Sequence, residues 1–493
     1  MSINITNVAR NSISFSLVGL FAGVIGIPIS IYVTAILSPE QYGIYGILML
    51  WLTYALLISP GFAIAGRREI PVYLGQRKGE AAKRVQNISL SGELLCIVFP
   101  FSVIVIASFF FSEPIMKFGL LMVAVAYLST QLAGFWGGII FIREQFGLAV
   151  KGNLILAILV PVLTVAAINW LGIYSLVLAP LIANAVVWIF YLKVASVEFH
   201  FTWDTHEVAR LFRVGIVLQL SALVYWGFRL ADRTIVASML PLGEMGLYTA
   251  AVMFVTYAQV LPTDFTKVLT PILWRASTSG GFKDAGRIAI YVALATAIAI
   301  PFTQLIVYLI REVITPQYIG SISVFNILSY NIYLAMVCTA PAIILSSSVA
   351  NKQNIMLVAY IIGLSLEIGL AILLIKLGYG ITGVALSTVV AQGILTTTTF
   401  VLAYKYMFTQ IGEALKCYLL ILLPFVIAIA FYFVHSYMST HIDSRLQFTT
   451  LSITAQVAIW NAAIYCIYKQ YVSVDKIKSL ASGLLAKVST TDT

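Results

Sequence analysis

Ser38-Pro-Glu-Gln-Tyr-Gly-Ile-Tyr-Gly46 and Pro241-Leu-Gly-Glu-Met-Gly-Leu-Tyr-Thr249 are two versions of one short segment, and their spacing decides the architecture. Gly43 pairs with Gly246 and Tyr45 with Tyr248, each 203 positions apart (246 − 43, 248 − 45). Each segment follows a long apolar run, the first and seventh of the chain. Working outward, Arg84 and Arg287 keep the same separation in the basic loops that follow, and Leu171-Gly172 resembles Leu377-Gly378 206 positions later. These matches fall at equivalent places in the order of hairpins, so the chain reads as two six-span halves. Six is even, so the second copy keeps the orientation of the first. The halves are then related by an axis along the membrane normal, with a site expected between them.

Composition sets the solvent. Of 493 residues 61% are hydrophobic and only 10% charged, with a mean hydropathy of +0.99. No soluble globular class accommodates this. In hydrocarbon only helices and closed barrels satisfy their own backbone, and runs this long and continuous are helical. The expected fold class is therefore an all-α membrane protein of about 14 transmembrane helices: two pseudo-symmetric six-helix lobes plus two C-terminal helices. Spans are expected near 12–37, 42–65, 88–111, 115–141, 153–170, 174–192, 214–240, 245–269, 288–310, 319–346, 355–375, 381–404, 417–436 and 448–467. The first run is too long for a signal-peptide core and lacks a small-x-small cleavage site, so it reads as retained. The resulting domains are a lobe over 1–195, a linker over 196–213, a lobe over 214–407, two further spans within 408–470 and a tail over 471–493.

The formal charge of +10 is a topology signal. With both termini cytoplasmic, 23 of the 29 Lys and Arg residues face inward, as the positive-inside rule requires. Nucleic acid need not be invoked as a partner; anionic inner-leaflet lipid attracts the cluster from Arg67 to Arg84. Cys96, Cys338, Cys417 and Cys466 are scattered singly, and His200, Asp204, His206 and Glu207 lack a metal-ligand spacing. Neither a metal nor a cofactor is expected.

Every outward loop is short, the longest (around His435 to Arg445) about ten residues, so no catalytic platform is expected and the chain does not read as an enzyme. No P-loop, GxGxxG or HExxH pattern supplies an engine, leaving an ion gradient or the substrate's own gradient as the energy source. The sharpest local signal is Trp226-Gly-Phe-Arg229-Leu-Ala-Asp232-Arg233, three ionisable residues in an otherwise apolar helix. A charge at mid-bilayer costs about 2.5–3.5 kcal/mol on insertion scales. Arg229 and Arg233 are i,i+4 and share a face with Trp226, while Asp232 is i+3 from Arg229. Forked guanidiniums on one face suit a phosphate or acidic sugar, with Asp232 holding one of them; the competing reading is a self-neutralised cluster snorkelling to the surface. Glu367, alone in the eleventh span, is a candidate proton or sodium site, or else a neutral hydrogen-bonded acid in the bundle. Glu93, Asp264 and Lys267 lie near expected interfaces and read as anchors. Pro28, Pro60, Pro161, Pro301 and Pro341 interrupt spans as bends or static kinks.

The segment with Gly43 and Tyr45 and the stretch from Arg229 to Ala251 (RLADRTIVASMLPLGEMGLYTAA) resemble polysaccharide flippases of the Wzx type, in the multidrug, oligosaccharidyl-lipid and polysaccharide (MOP) exporter superfamily. The resemblance implies translocation of an undecaprenyl-pyrophosphate-linked repeat unit, of O-antigen or capsule type, across a bacterial inner membrane. It implies a cationic cavity lined by Arg229, Asp232 and Arg233, with membrane lipids, a polysaccharide polymerase and chain-length proteins as partners. Two alternatives stand beside it: an ion-coupled exporter of small amphipathic cations, which the excess of arginine over aspartate disfavours, and a membrane glycosyl polymerase, which the short outward loops disfavour.

Overall fold

The computed structural model describes residues 5–59, 61–143, 145–194, 199–259, 314–346, 352–408, 410–439 and 458. Over these it is helical, with no strand among the described residues. The helices are α1 (Ile5–Ile36), α2 (Pro39–Leu57), α3 (Phe62–Gly75), α4 (Gly79–Ser108), α5 (Pro114–Ile142), α6 (Phe146–Leu171), α7 (Tyr174–Val194), α8 (Thr205–Met239), α9 (Leu242–Ala258), α10 (Ser321–Ser346), α11 (Gln353–Lys376), α12 (Gly380–Met407) and α13 (Ile411–Ser439). A 3-10 turn, Pro316–Tyr318, precedes α10. Among the described residues eight helices are long and apolar enough to cross a membrane, and α2 with α3 forms a ninth candidate bent by 51°. α8 also spans the length but carries the three ionisable residues quoted above. The chain is a multi-pass membrane protein. The spans expected at 288–310 and, apart from residue 458, at 448–467 lie outside the described residues, as do Asp264, Lys267, Pro60, Pro301 and Cys466.

Local chemistry sets the helix ends. Ser38 caps α2 in a capping box: its hydroxyl accepts from the Gln41 N–H while Gln41 Oε1 accepts from the Ser38 N–H, with Pro39 at the first helical position. Asp204 caps α8, its Oδ1 accepting from the His206 and Glu207 N–H groups. Two expectations need correction. The second span is not one helix to residue 65; it breaks between Leu57 and Phe62 and α3 continues to Gly75. Nor is the stretch to Arg213 a solvated linker, since α8 starts at Thr205 and its first turns lie on α3 and α4.

The two halves touch along a seam in which α2 packs on α9 and α3 on α8. At one end of it, the turn end, stand the two glycines of the repeat. A Cβ on Gly43 would lie 2.1 Å from the Leu242 carbonyl oxygen, and one on Gly246 would lie 1.8 Å from that of Pro39. Backbone meets backbone here, which is why both copies of the motif carry glycine. The same end is tied by Thr315 and Tyr318, whose hydroxyls donate to the last carbonyls of α1, at Thr34 (2.9 Å) and Leu37 (3.0 Å). Buried around it is the largest apolar cluster, with Tyr42 and Leu48 of α2, Tyr127 of α5, Tyr248 and Phe254 of α9 and Phe325 of α10.

The opposite, linker end is closed by a second crossing. Gly61, at the α2–α3 break with φ +85°, meets Gly215 of α8; a Cβ on either would fall within 2.4 Å of the other's carbonyl oxygen. Arg210 of α8 forks onto Glu69 of α3 at 2.8 and 2.7 Å and also bonds Glu207 at 2.9 Å, while Arg84 of α4 pairs with Asp204. The Glu207 N–H and, next, the Arg84 guanidinium hold the Asp204 carboxyl below its ordinary range. A depressed acid contributes stability above its unfolded pKa of about 3.9 and loses it only as pH falls through the lower folded value. Between pH 5 and 8 the charge of Asp204 should therefore not change, and at pH 8 Asp204→Asn should lower the melting temperature in a thermal-melt series.

Candidate functional site

Between the two crossings α8 faces the first half through Gln219, whose Nε2 donates to the Leu57 carbonyl at 2.6 Å, and Thr234, 2.6 Å from the Tyr54 hydroxyl. The arginines stand on the adjoining side. Arg229 donates to the Tyr225 hydroxyl (3.3 Å) and to Gln259 Oε1 at the end of α9 (3.4 Å). Its guanidinium lies 5.9 Å from the Trp226 ring and 6.0 Å from that of Tyr225. Cation–π contacts of this kind are worth about 0.5–1 kcal/mol where exposed. Arg233, one turn on, is half-buried, and its Nε has no hydrogen-bond partner. The structure thus places Trp226, Arg229 and Arg233 along one side of α8, next to the seam.

Asp232 lies beside Arg233 rather than Arg229. It accepts from the Tyr248 hydroxyl at 2.7 Å and from the Arg233 backbone N–H at 2.7 Å, with the Arg233 guanidinium 4.0 Å away. Arg229 is held by Tyr225 and Gln259 instead. Asp232 points into the second half, where only 5% of it is exposed.

Glu367, read as solitary, has company. It is fully buried on α11, accepts from the Thr388 hydroxyl of α12 at 2.8 Å, and lies within electrostatic reach of Asp232. Its Oε2 has no hydrogen-bond partner. Two buried carboxyls within electrostatic reach of one another repel when both are charged, and a proton or a cation between them relieves that repulsion. The pair, ringed by Tyr248 and Thr388 hydroxyls, offers hard oxygen donors that suit a proton or a small cation.

A second polar group went unread in the sequence. Glu93, taken for an interfacial anchor, is 2% exposed. It accepts from the Ser59 hydroxyl (3.1 Å to each oxygen), from Gln131 Nε2 (2.8 Å) and from the Ala63 N–H (3.3 Å). Arg67 of α3 lies over Gly138 and donates to the Gly134 carbonyl, within the field of Glu93. Among the described residues no group of three or more His, Cys, Asp or Glu side chains is arranged to hold a metal.

These helices, paired across a seam in two halves, have the fold of MOP-superfamily transporters. The structure is similar to lipid II flippase MurJ in its inward closed conformation, at 17% identity over 94% of this chain and 100% of that one, with a TM-score of 0.69. It is likewise similar to an inward-facing multidrug resistance MATE family transporter (16% identity, 82% and 99% of the two chains, TM-score 0.62). A third is a MOP superfamily transporter from Pyrococcus furiosus described for the reverse polarity of its binding pocket (17% identity, 81% and 95%, TM-score 0.60). Residues 8–277, more than half of the chain, match the family model described as polysaccharide biosynthesis protein, and the chain belongs to that family. No curated protein matches it in sequence.

Proposed function

We propose that the protein is a flippase that carries an undecaprenyl-pyrophosphate-linked oligosaccharide, of O-antigen or capsule type, across a bacterial inner membrane by alternating access between lobes 1–195 and 214–407. The observation that carries this reading is the position of Arg229 and Arg233 on α8 beside the interlobe seam. Two guanidiniums one helical turn apart present forked donors to a pyrophosphate, and the Trp226 and Tyr225 rings, edge to face beside Arg229, favour a sugar face next to it. Family membership supports a polysaccharide cargo. Both termini and the basic linker end are then cytoplasmic, and a polymerase and chain-length proteins act on the product.

Asp232 and Glu367 are too buried to meet any cargo larger than an ion, which supports them as the coupling-ion site and speaks against a pocket for organic cations. Replacing both Arg229 and Arg233 with alanine should abolish surface polysaccharide with the amount of membrane-inserted protein unchanged, and the double lysine variant should keep part of it, since lysine retains charge without the fork. Undiminished polysaccharide in the alanine pair removes the role given to these residues.

A further inference from the structure

Glu93 has no part in the reading above, yet among the described residues of the first lobe no carboxyl has more hydrogen bonds. Its place explains why. The backbone is interrupted at the α2–α3 break, and Ser59 links the two: its hydroxyl accepts from the Gly61 N–H (3.1 Å) and donates to Glu93. Glu93 also takes the Ala63 N–H, an otherwise unpaired donor in the first turn of α3. The bend so held is the one whose apex, Gly61, rests on Gly215 of α8 and closes the linker end of the seam.

The ionisable groups facing Glu93 are Arg67 from α3, Tyr127 from α5 and, on its own helix, Cys96; Gln131 of α5 and Ser59 complete its surroundings. The Ala63 N–H and the Gln131 amide N–H can only donate, so the arrangement fits a carboxylate. Protonation would set an O–H among donors and leave Arg67 without its counter-charge. Burial favours the neutral acid while the donors and Arg67 favour the anion, so opposing influences meet at one switchable group.

We propose that Glu93 is a proton-binding site of the first lobe, whose ionised form holds the bend of the second span against α8 and whose protonation opens the linker end. It rests on the alternating-access reading only for the use to which the opening is put. The test contains no cargo, so failure of a flipping assay and failure of this proposal are distinguishable.

Spin labels at Arg68→Cys and Arg213→Cys, both exposed and on the facing helices α3 and α8, report the width of the linker end in a background lacking the native cysteines. In reconstituted full-length protein the short distance should dominate at pH 8 and give way to a longer one towards pH 5.5, a range in which the Asp204 clasp stays ionised. Glu93→Gln should show the longer distance throughout. Ser59→Ala, which removes one donor to the carboxylate, should move the transition midpoint upward by about 1 pH unit. A distance independent of pH in the parent, a Glu93→Gln protein with the parent's profile, or an unmoved midpoint in Ser59→Ala would each overturn the proposal.

Discussion

Gly246→Val is expected to abolish transport and to lower the melting temperature of the detergent-solubilised protein more than any single change at the arginines. The hydrogen on Gly246 occupies a position where a Cβ would sit 1.8 Å from the Pro39 carbonyl oxygen. That neighbour is backbone at the capped start of α2, so no rotamer change relieves the clash; α2 and α9 must separate. Overfilling a packed core costs typically 1–3 kcal/mol, and displacing two crossing helices costs about 3 kcal/mol or more. The apolar cluster under the crossing, with Tyr42, Leu48 and Phe254 all buried, would be opened to lipid. Gly43→Val meets the Leu242 carbonyl at 2.1 Å and should behave alike. By contrast Gly134, whose added Cβ would meet nothing within 4 Å, should accept alanine with a change of less than about 0.5 kcal/mol. A circular-dichroism melt of the three variants checks the order.

Glu367→Gln is expected to separate coupling from folding. The carboxyl is fully buried, has one oxygen without a partner, and shares its pocket with Asp232. Removing one of two mutually repelling buried acids relieves a desolvation cost, so the melting temperature should hold or rise. The glutamine retains an acceptor for the Thr388 hydroxyl, so the α11–α12 packing stays. Transport driven by an imposed ion gradient should nevertheless fall by about tenfold or more, because a neutral amide neither exchanges a proton nor balances a cation. Asp232→Asn should show the same loss with a lower melting temperature, since the carboxylate accepts from both the Arg233 N–H and the Tyr248 hydroxyl and an amide has only one acceptor oxygen. Gradient-driven transport in proteoliposomes at the parent rate in Glu367→Gln would remove the coupling role.

The meeting of the two repeat segments was legible because it rests on glycine. Where two backbones cross within contact distance no other residue fits, and both copies show it, at Gly43 and Gly246. Arg229 and Arg233 stand out for a different reason: in the stretch from Val214 to Met239, whose only other charged residue is Asp232, the cost of insertion makes every exception visible. What stayed hidden was tertiary. Periodicity says nothing of the partners a side chain meets on other helices, so the bonds from Tyr248 to Asp232 and from Thr388 to Glu367 had no signature in spacing. Asp232, read as the partner of one arginine, keeps Arg233 within 4.0 Å while its other oxygen takes the Tyr248 hydroxyl, a bond that spacing could not show.

Glu93 was misjudged through a boundary. The basic run before it suggested a membrane edge near residue 88, whereas α4 begins at Gly79, which puts Glu93 about 21 Å along the helix at 1.5 Å per residue. The α2–α3 break had a trace in the Ser59 to Gly61 stretch, but hydropathy alone runs straight through it to Ala65. The same bias treated the residues before 214 as linker, because Glu207 and Arg210 lower the hydropathy of turns that are helical and clasped to α3.

The most direct test of the flippase account is passage of cargo in proteoliposomes holding the purified full-length chain, with a fluorescent undecaprenyl-linked oligosaccharide and a surface-only quencher. The account predicts that the pyrophosphate-linked lipid crosses, that an uncharged glycolipid of the same sugar crosses at least about tenfold more slowly, and that Arg229→Ala with Arg233→Ala removes the difference. Equal rates for the charged and uncharged lipids in the parent protein would contradict it.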